Sequence, residues 1–126
     1  MQETFGSPVE LRAETRWQAI DELVEHLVTM GKIRRDQRDV VIASVRKRES
    51  AMTTGIGHGI GLPHAAVDCL SSLTGAWGRS AKGIQFESLD KLPVHFVALF
   101  LVPRGEFHRH LDLLANLAKW LRNEGR

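Results

Sequence analysis

The sequence VHFVALFLV at residues 94–102 decides the fold, because it is an apolar run interrupted only by His95. Such a run is typical of a strand that is covered on both faces, since a strand with one solvated face alternates apolar and polar residues. Pro103 ends the strand, and Gly105 lies in the turn that follows. The run therefore predicts a sheet with helices on both sides.

Helices and a second strand are predicted on either side of this run. Thr15 and Gln18 form a capping-box pattern ahead of apolar residues at helical spacing, which predicts a first helix over residues 16–30. The other predicted elements are a second helix over residues 37–47 with Asp36 as its cap, a strand over 72–79, and a third helix over 107–121. This mixture indicates an α/β (mixed α+β) fold, a three-layer α/β/α sandwich around a mixed β-sheet.

The length and composition indicate one domain. The chain has 126 residues, of which 43% are hydrophobic and 25% charged, as in an ordinary globular protein with one core. Residues 1–8 are expected to form a loose N-terminal segment, and residues 9–126 the single domain.

The charge and the cysteine content exclude several classes of protein. A formal net charge of +2 is too small to indicate a nucleic-acid partner, which usually requires a clustered basic stripe. Cys69 is the only cysteine, which excludes an internal disulfide and a multi-cysteine zinc site and indicates a reducing cytoplasm. No apolar run reaches the length of a membrane span, and the first nine residues do not resemble a secretory signal. We therefore expect a cytoplasmic protein without direct membrane insertion.

The sequence RESAMTTGIGHGIGLPHA at residues 48–65 is the candidate functional segment. Its four glycines occupy every second position, so in an extended chain they lie on one face and allow backbone N–H groups to approach an anion such as phosphate. A tight loop or close strand packing is the alternative interpretation. Nucleotide-binding motifs fit poorly, because the third glycine of G-x-G-x-x-G and the Lys-Ser or Lys-Thr of a P-loop are missing.

His64 lies at the end of this segment and is the candidate reactive residue. An imidazole near neutral pH is largely uncharged and can serve as a nucleophile, a general base or a metal ligand. Pro63 has a fixed φ and stiffens the backbone that leads to His64. A rigid, glycine-lined approach therefore favours a functional histidine.

Two further histidines are candidates for the same site. His110 is predicted in the first turn of the third helix, where the helix N-terminus favours a neutral imidazole. Such a ring could contact a phosphoryl group on His64. A half-buried structural histidine is the alternative. His58 lies between two glycines and is expected to face the same pocket. A zinc site built from histidines 58, 64, 108 and 110 is a weaker alternative, because their spacing matches no strong metal motif, and we expect no metal.

Residues 49–65 match the active-site signature of a known family. The signature is an acidic or amide residue, six residues, an aliphatic residue, Gly or Ala, two residues, then aliphatic-Ala-aliphatic-Pro-His and a small residue. Glu49 starts it here, and IGLPHA at residues 60–65 closes it. Gly61 replaces the usual Ala, and the loss of one methyl is expected to loosen the loop. Over roughly residues 9–122 the chain resembles the fructose/mannitol-type IIA domain of the bacterial phosphoenolpyruvate-dependent phosphotransferase system, a family that includes the nitrogen-regulatory IIA proteins.

The resemblance implies a phosphocarrier, that is, a histidine phosphotransferase without a cofactor. It implies that His64 accepts a phosphoryl group from an HPr-type phosphocarrier protein and passes it to a IIB domain, or holds it as a signal to a regulatory target protein. Arg48 and His110 match the family's residues around the phosphoryl group, and Thr54 matches a polar position lining it. The remaining lining residues are expected to be Gly57, His58 and Gly59. The family usually continues with a further helical segment beyond the position of Arg126, so a domain that lacks this segment is one expectation for the chain.

Two other functions are consistent with the sequence. A nitrogen-type regulatory binding module would act through protein–protein contacts, with no sugar partner. A phosphorylation-incompetent relative is the other, because the fold resembles the cytosolic domain of some anion transporters. The presence of His64, Arg48 and His110 together favours the phosphocarrier.

Overall fold

A computed structural model of the chain describes residues 2–106, 110 and 112–124. The helices are α1 (Gln2–Phe5), α2 (Arg16–Thr29), α3 (Arg38–Ala51) and α4 (Leu113–Glu124). The strands are β1 (Val9–Glu10), β2 (Gly55–Gly57), β3 (Ile60–Gly61), β4 (His64–Val67), β5 (Thr74–Ile84) and β6 (Val94–Pro103). None of the helices described is long and apolar enough to cross a membrane.

The six strands form one mixed sheet in the order β1-β5-β6-β3-β2, and β4 also pairs with β6. Strand β6 is antiparallel to β5 and parallel to both β3 and β4. Consequently β3 and β4 follow one another along the same side of β6, with Ile60 opposite Phe96 and His64 opposite Phe100. The predicted mixed sheet is confirmed.

Strand β6 is the centre of the sheet and is buried on both faces, as its sequence predicts. Val97, Leu99 and Leu101 lie in a core cluster with residues of α2 and α3. The alternate residues Ala98, Phe100 and Val102 lie in a second cluster with Leu117 and Leu121 of α4. Because side chains alternate between the faces of a strand, the two clusters lie on opposite sides of the sheet. The predicted three-layer α/β/α sandwich is confirmed.

The first two long helices agree with the sequence prediction in kind and differ in their ends. Helix α2 begins after the predicted capping box, in which the Thr15 side chain accepts a hydrogen bond from the backbone N–H of Gln18. Helix α3 begins at Arg38, after a short 3₁₀ turn over Arg35–Gln37, and continues to Ala51, four residues beyond the prediction. Asp36 was the wrong cap, because Gln37 holds the N-cap position and the Asp36 carboxylate accepts a hydrogen bond from Arg34.

The two ends of the chain carry helical elements. At the N-terminal end, Phe5 of α1 is buried and the Trp77 indole N–H donates a hydrogen bond to the Gly6 carbonyl; a loose segment over residues 1–8 stays a prediction. Helix α4 begins at Leu113, six residues after the predicted start. Residues 107–109 and 111 of the predicted third helix lie outside the described residues.

Candidate functional site

The candidate nucleophile His64 is the first residue of β4 and is 3% exposed. Its ring stacks on the Phe100 ring of the neighbouring strand, with 4.7 Å between centroids and 6° between planes. The Phe100 N–H donates a hydrogen bond to the Pro63 carbonyl at 3.1 Å, which joins the approach to His64 to the central strand. The orientation of the imidazole is thus set by its contacts with β6, the buried central strand of the sheet.

The hydrogen bond of the His64 ring fixes its tautomer. The Nδ1 atom lies 2.8 Å from the Leu62 carbonyl oxygen. A carbonyl oxygen only accepts hydrogen bonds, so Nδ1 carries the proton and donates it. In the neutral ring the lone pair is then on Nε2, which lies buried. Nε2 is therefore the nucleophilic atom that this geometry prepares.

Burial lowers the pKa of His64 below its ordinary value, because the charged imidazolium would lose its hydration. The positive charge of Arg48 also lowers this pKa, whereas the hydrogen bond to the Leu62 carbonyl and the negative charge of Glu49 raise it. The balance favours the neutral ring, which is the form that carries a lone pair.

Arg48 lies in the last turn of α3, and its side chain is exposed. Together with Lys47 and Arg104 it lines an open depression of about 450 Å³. The floor of this depression includes Ala65 and Ala66, the two residues after His64. Arg104 donates a hydrogen bond to Asp68, whereas Lys47 and Arg48 form no ion pair with any residue that the structure describes. The structure places this cationic surface beside the edge strand that begins at His64.

The predicted lining residues Gly57, His58 and Gly59 form the tip of the β2–β3 hairpin. All three have positive φ, and the exposed His58 donates its backbone N–H to Asp90. The Gly59 carbonyl accepts hydrogen bonds from the backbone N–H groups of residues 95 and 96. His64 pairs with β6 four residues beyond the point where the hairpin pairs with it, so the tip and His64 are separated by roughly 13 Å along this strand. A lining role for this tip stays a prediction, and its displacement along β6 does not favour it.

His110 is half-buried and has 3₁₀ geometry, three residues before the first residue of α4. Helix α4 covers the face of the sheet on which Phe100 and the His64 ring lie. His110 thus precedes the helix that covers the candidate nucleophile, and its contact with a phosphoryl group stays a prediction.

Sequence reasoning missed a buried hydrogen-bond network around Glu49. The Glu49 side chain is fully buried and forms an ion pair with Arg16 at 3.3 Å. Its two oxygens also accept hydrogen bonds from Thr54, from the backbone N–H at 2.8 Å and from the hydroxyl at 2.6 Å. Thr54, the predicted polar lining residue, therefore directs its hydroxyl proton to Glu49. The Arg16–Glu49 pair spans 33 positions, so no local pattern could have indicated it.

The departure of Gly61 from the family signature has a structural cause. A β-carbon at Gly61 would lie 2.7 Å from Cζ and 2.8 Å from Cε2 of Phe86, whose ring is buried. The ring fills the space that the usual alanine methyl would occupy. The loop around Gly61 is therefore packed against the Phe86 ring, and the missing methyl does not loosen it as the sequence analysis expected.

The residues described offer no obvious metal centre. Among them, no three His, Cys, Asp or Glu side chains are grouped so that they could hold a metal ion. Cys69, the only cysteine of the sequence, is free and half-buried.

The fold and the site define a class of protein: an α/β/α domain in which a buried, neutral histidine lies close to a cationic surface. Comparison with known sequences identifies the family. Residues 8–126 match the family described as "Phosphoenolpyruvate-dependent sugar phosphotransferase system, EIIA 2", and the chain belongs to this family. The recognition from sequence is confirmed, and with it the general role of the family as phosphocarriers or regulators.

Individual relatives come from both branches of the family. The chain is 38% identical over 110 residues to the "PTS system fructose-specific EIIA component" of Haloferax volcanii, covering 87% of this chain and 70% of that protein. It is 33% identical over 115 residues to a "Nitrogen regulatory protein" of Bradyrhizobium diazoefficiens, covering 90% of this chain and 72% of that protein.

Solved structures share the fold. The nitrogen regulatory protein IIA-Ntr of Neisseria meningitidis superposes with a TM-score of 0.76 at 24% identity, over 88% of this chain and 74% of that one. The IIA mannitol enzyme of Escherichia coli, solved in complex with phosphorylated IIB mannitol enzyme, gives a TM-score of 0.70 at 19% identity, over 89% and 77% of the two chains. At these identities the structures support the fold alone.

Proposed function

We propose that the protein is a phosphocarrier that accepts a phosphoryl group on Nε2 of His64. The observation that carries the proposal is the hydrogen bond from Nδ1 to the Leu62 carbonyl, which leaves the lone pair of the neutral ring on Nε2. Burial supports it, because it lowers the pKa of His64 and keeps the nucleophile uncharged. No nucleotide or metal is needed for this chemistry.

The transfer exchanges one phosphorus–nitrogen bond for another. The bond in the phosphohistidine of the donor breaks as a bond from phosphorus to Nε2 of His64 forms, and Nδ1 keeps its proton and its hydrogen bond to Leu62. The three equatorial oxygens of the phosphoryl group carry negative charge during the transfer, so catalysis rests on positioning and on nearby cations. Arg48 is the cation whose charge acts on His64, and its guanidinium suits phosphate oxygens.

The partners follow from the family. The donor would be an HPr-type phosphocarrier protein, and the acceptor would be a IIB domain, as in the complex of the mannitol enzymes. We place this relay in the cytoplasm, consistent with a free cysteine in a reducing compartment.

A regulatory role in the nitrogen branch is the second candidate. The 33% identity to a nitrogen regulatory protein over 90% of the chain favours it. In that role phosphorylation of His64 would change the affinity for a target protein, and no IIB domain would be required. Transfer from the phosphorylated protein to a IIB domain distinguishes the two candidates.

The test is the intact mass of the purified protein after incubation with phosphoenolpyruvate, the first-step kinase and an HPr-type carrier. We expect one added phosphoryl group that is lost in acid. The His64→Ala variant should gain no mass, whereas His58→Asn should be phosphorylated like the wild type. Asparagine is chosen because it tolerates the positive φ of 58° at that position.

The variants also define the result that would contradict the proposal. Phosphorylation of a folded His64→Ala variant, or loss of phosphorylation in a folded His58→Asn variant, would move the reactive residue elsewhere. No mass gain in the wild type, with the carrier shown to be phosphorylated, would favour the phosphorylation-incompetent alternative.

A further inference from the structure

A continuous chain of hydrogen bonds runs from the ion pair of Arg16 and Glu49 to the ring of His64. Its first contact joins two helices, because Arg16 of α2 donates a hydrogen bond to Glu49 of α3 at 3.3 Å. Glu49 in turn accepts two hydrogen bonds from Thr54, which follows α3. The Glu49 side chain is fully buried, and that of Arg16 is 12% exposed. A buried carboxylate requires such partners, so the position of Thr54 is tied to the charge of Glu49.

The second part of the chain runs through the backbone. The Thr54 carbonyl accepts a hydrogen bond from the Leu62 N–H at 3.1 Å. The carbonyl of the same Leu62 accepts the Nδ1–H of His64 at 2.8 Å. Leu62, whose carbonyl anchors the His64 ring, is thus held through its N–H by Thr54, the residue that Glu49 holds.

We propose that Glu49, paired with Arg16, is a positioning residue that fixes the Nδ1–H tautomer and the ring orientation of His64. It acts through Thr54 and Leu62 and does not touch the phosphoryl group. The catalytic consequence rests on the proposed function of His64, whereas the effect on the tautomer does not.

The structure offers a matched comparison for a purely structural role. Arg46 and Asp21 form a second ion pair between α3 and α2, at 2.7 Å. This pair joins the same two helices and shares no residue with the chain that leads to His64. Neutralising Asp21 therefore tests helix docking alone, and neutralising Glu49 tests docking together with positioning.

The experiment compares Glu49→Gln with Asp21→Asn by nitrogen-15 NMR of the histidine side chains. Glutamine keeps the shape of Glu49 but removes its charge. Its single amide oxygen can accept either at the Oε2 position, from Arg16 and the Thr54 N–H, or at the Oε1 position, from the Thr54 hydroxyl, whereas the carboxylate accepts at both. We expect the wild type and Asp21→Asn to show His64 with the proton on Nδ1. Glu49→Gln should show a mixture of tautomers or exchange broadening of the His64 resonances.

Kinetics with the phosphorylated carrier give the second readout. We expect kcat for phosphorylation of Glu49→Gln to fall by about 10- to 100-fold with little change in the KM for the carrier, because a misplaced nucleophile affects the reaction more than docking. If Glu49→Gln does not fold, Thr54→Val tests the same chain by removing the hydroxyl that donates to Glu49. Thr54→Ser keeps that hydroxyl and should retain the proton of His64 on Nδ1, as the wild type does.

A folded Glu49→Gln or Thr54→Val variant with the wild-type tautomer of His64 would overturn the proposal, as would an equal change in Asp21→Asn. These outcomes do not require phosphorylation. If the wild type cannot be phosphorylated, the proposed function fails, and the NMR comparison still decides whether Glu49 positions His64.

Discussion

Replacing Gly61 by alanine is expected to destabilise this protein, although alanine is the residue that the family signature usually has there. The added β-carbon would lie 2.7, 2.8 and 3.0 Å from three atoms of the Phe86 ring. Phe86 is 1% exposed, so its ring has little room to move away. The prediction is that Gly61 and Phe86 form one complementary pair.

The magnitude follows from two opposing effects. Forcing one carbon into a packed core costs about 1–3 kcal/mol, whereas replacing glycine restricts the unfolded chain and returns about 0.4–1 kcal/mol. We expect a net loss of about 1–2 kcal/mol in the free energy of unfolding. For a chain of 126 residues, 1 kcal/mol corresponds to about 4 °C in Tm, so Tm should fall by about 4–8 °C.

The assay is a double-mutant cycle by urea denaturation with Gly61→Ala, Phe86→Leu and the double variant. Leucine is smaller than phenylalanine and makes room for the alanine methyl. The double variant should therefore be more stable than the sum of the single effects by about 1 kcal/mol. Additive effects, or a Gly61→Ala variant as stable as the wild type, would refute the steric coupling.

Three further predictions concern the site and the fold. The pKa of His64 is lowered in the folded state, so as the pH falls the unfolded chain binds a proton on this histidine before the folded chain does. The free energy of unfolding should therefore decrease below about pH 6.5, and it should decrease less in His64→Ala. Urea denaturation midpoints at about pH 7.5 and about pH 5.5 would show this difference. Arg48→Ala should slow phosphorylation about 100-fold and raise the pKa of His64 in an NMR titration. The neighbouring Lys47→Ala should leave the phosphorylation rate largely unchanged. Equal losses of rate in the two variants would contradict a specific role of Arg48. Thr15→Ala should cost about 1 kcal/mol in thermal unfolding without changing the phosphorylation rate, and no loss would mean that the cap contributes little.

The sequence predicts those parts of the fold that depend on local patterns. The apolar run at 94–102 predicts a strand buried on both faces, and β6 alternates between two core clusters. The pair Thr15 and Gln18 predicts the start of α2. Helix α3 continues past its predicted end at residue 47, because residues 48–51 contain no glycine or proline that would stop a helix. Phe5 was missed because its burial depends on the distant Trp120 and Gly75.

The site was predictable to the extent that it lies in one segment. Residues 48–65 contain the alternating glycines and His64, which predict an anion site, and Arg48 and Thr54, whose roles the family resemblance implies. The partners that hold this segment come from elsewhere in the chain. Arg16 pairs with Glu49, and Phe86 fills the space beside Gly61. Such contacts across tens of residues are set by tertiary packing and leave no periodic signal in one sequence.

The attachment of His64 to β6 has a consequence for the dynamics of the site. Functional residues often lie in segments that open locally at little cost, but β4 pairs with the most deeply buried strand of the sheet. We therefore expect the amides of β4 and β6 to exchange with solvent mainly through global unfolding, and those of the hairpin tip to exchange faster. In the proposed phosphocarrier, a partner would therefore meet a nucleophile that is already ordered, and the encounter would carry little conformational entropy cost.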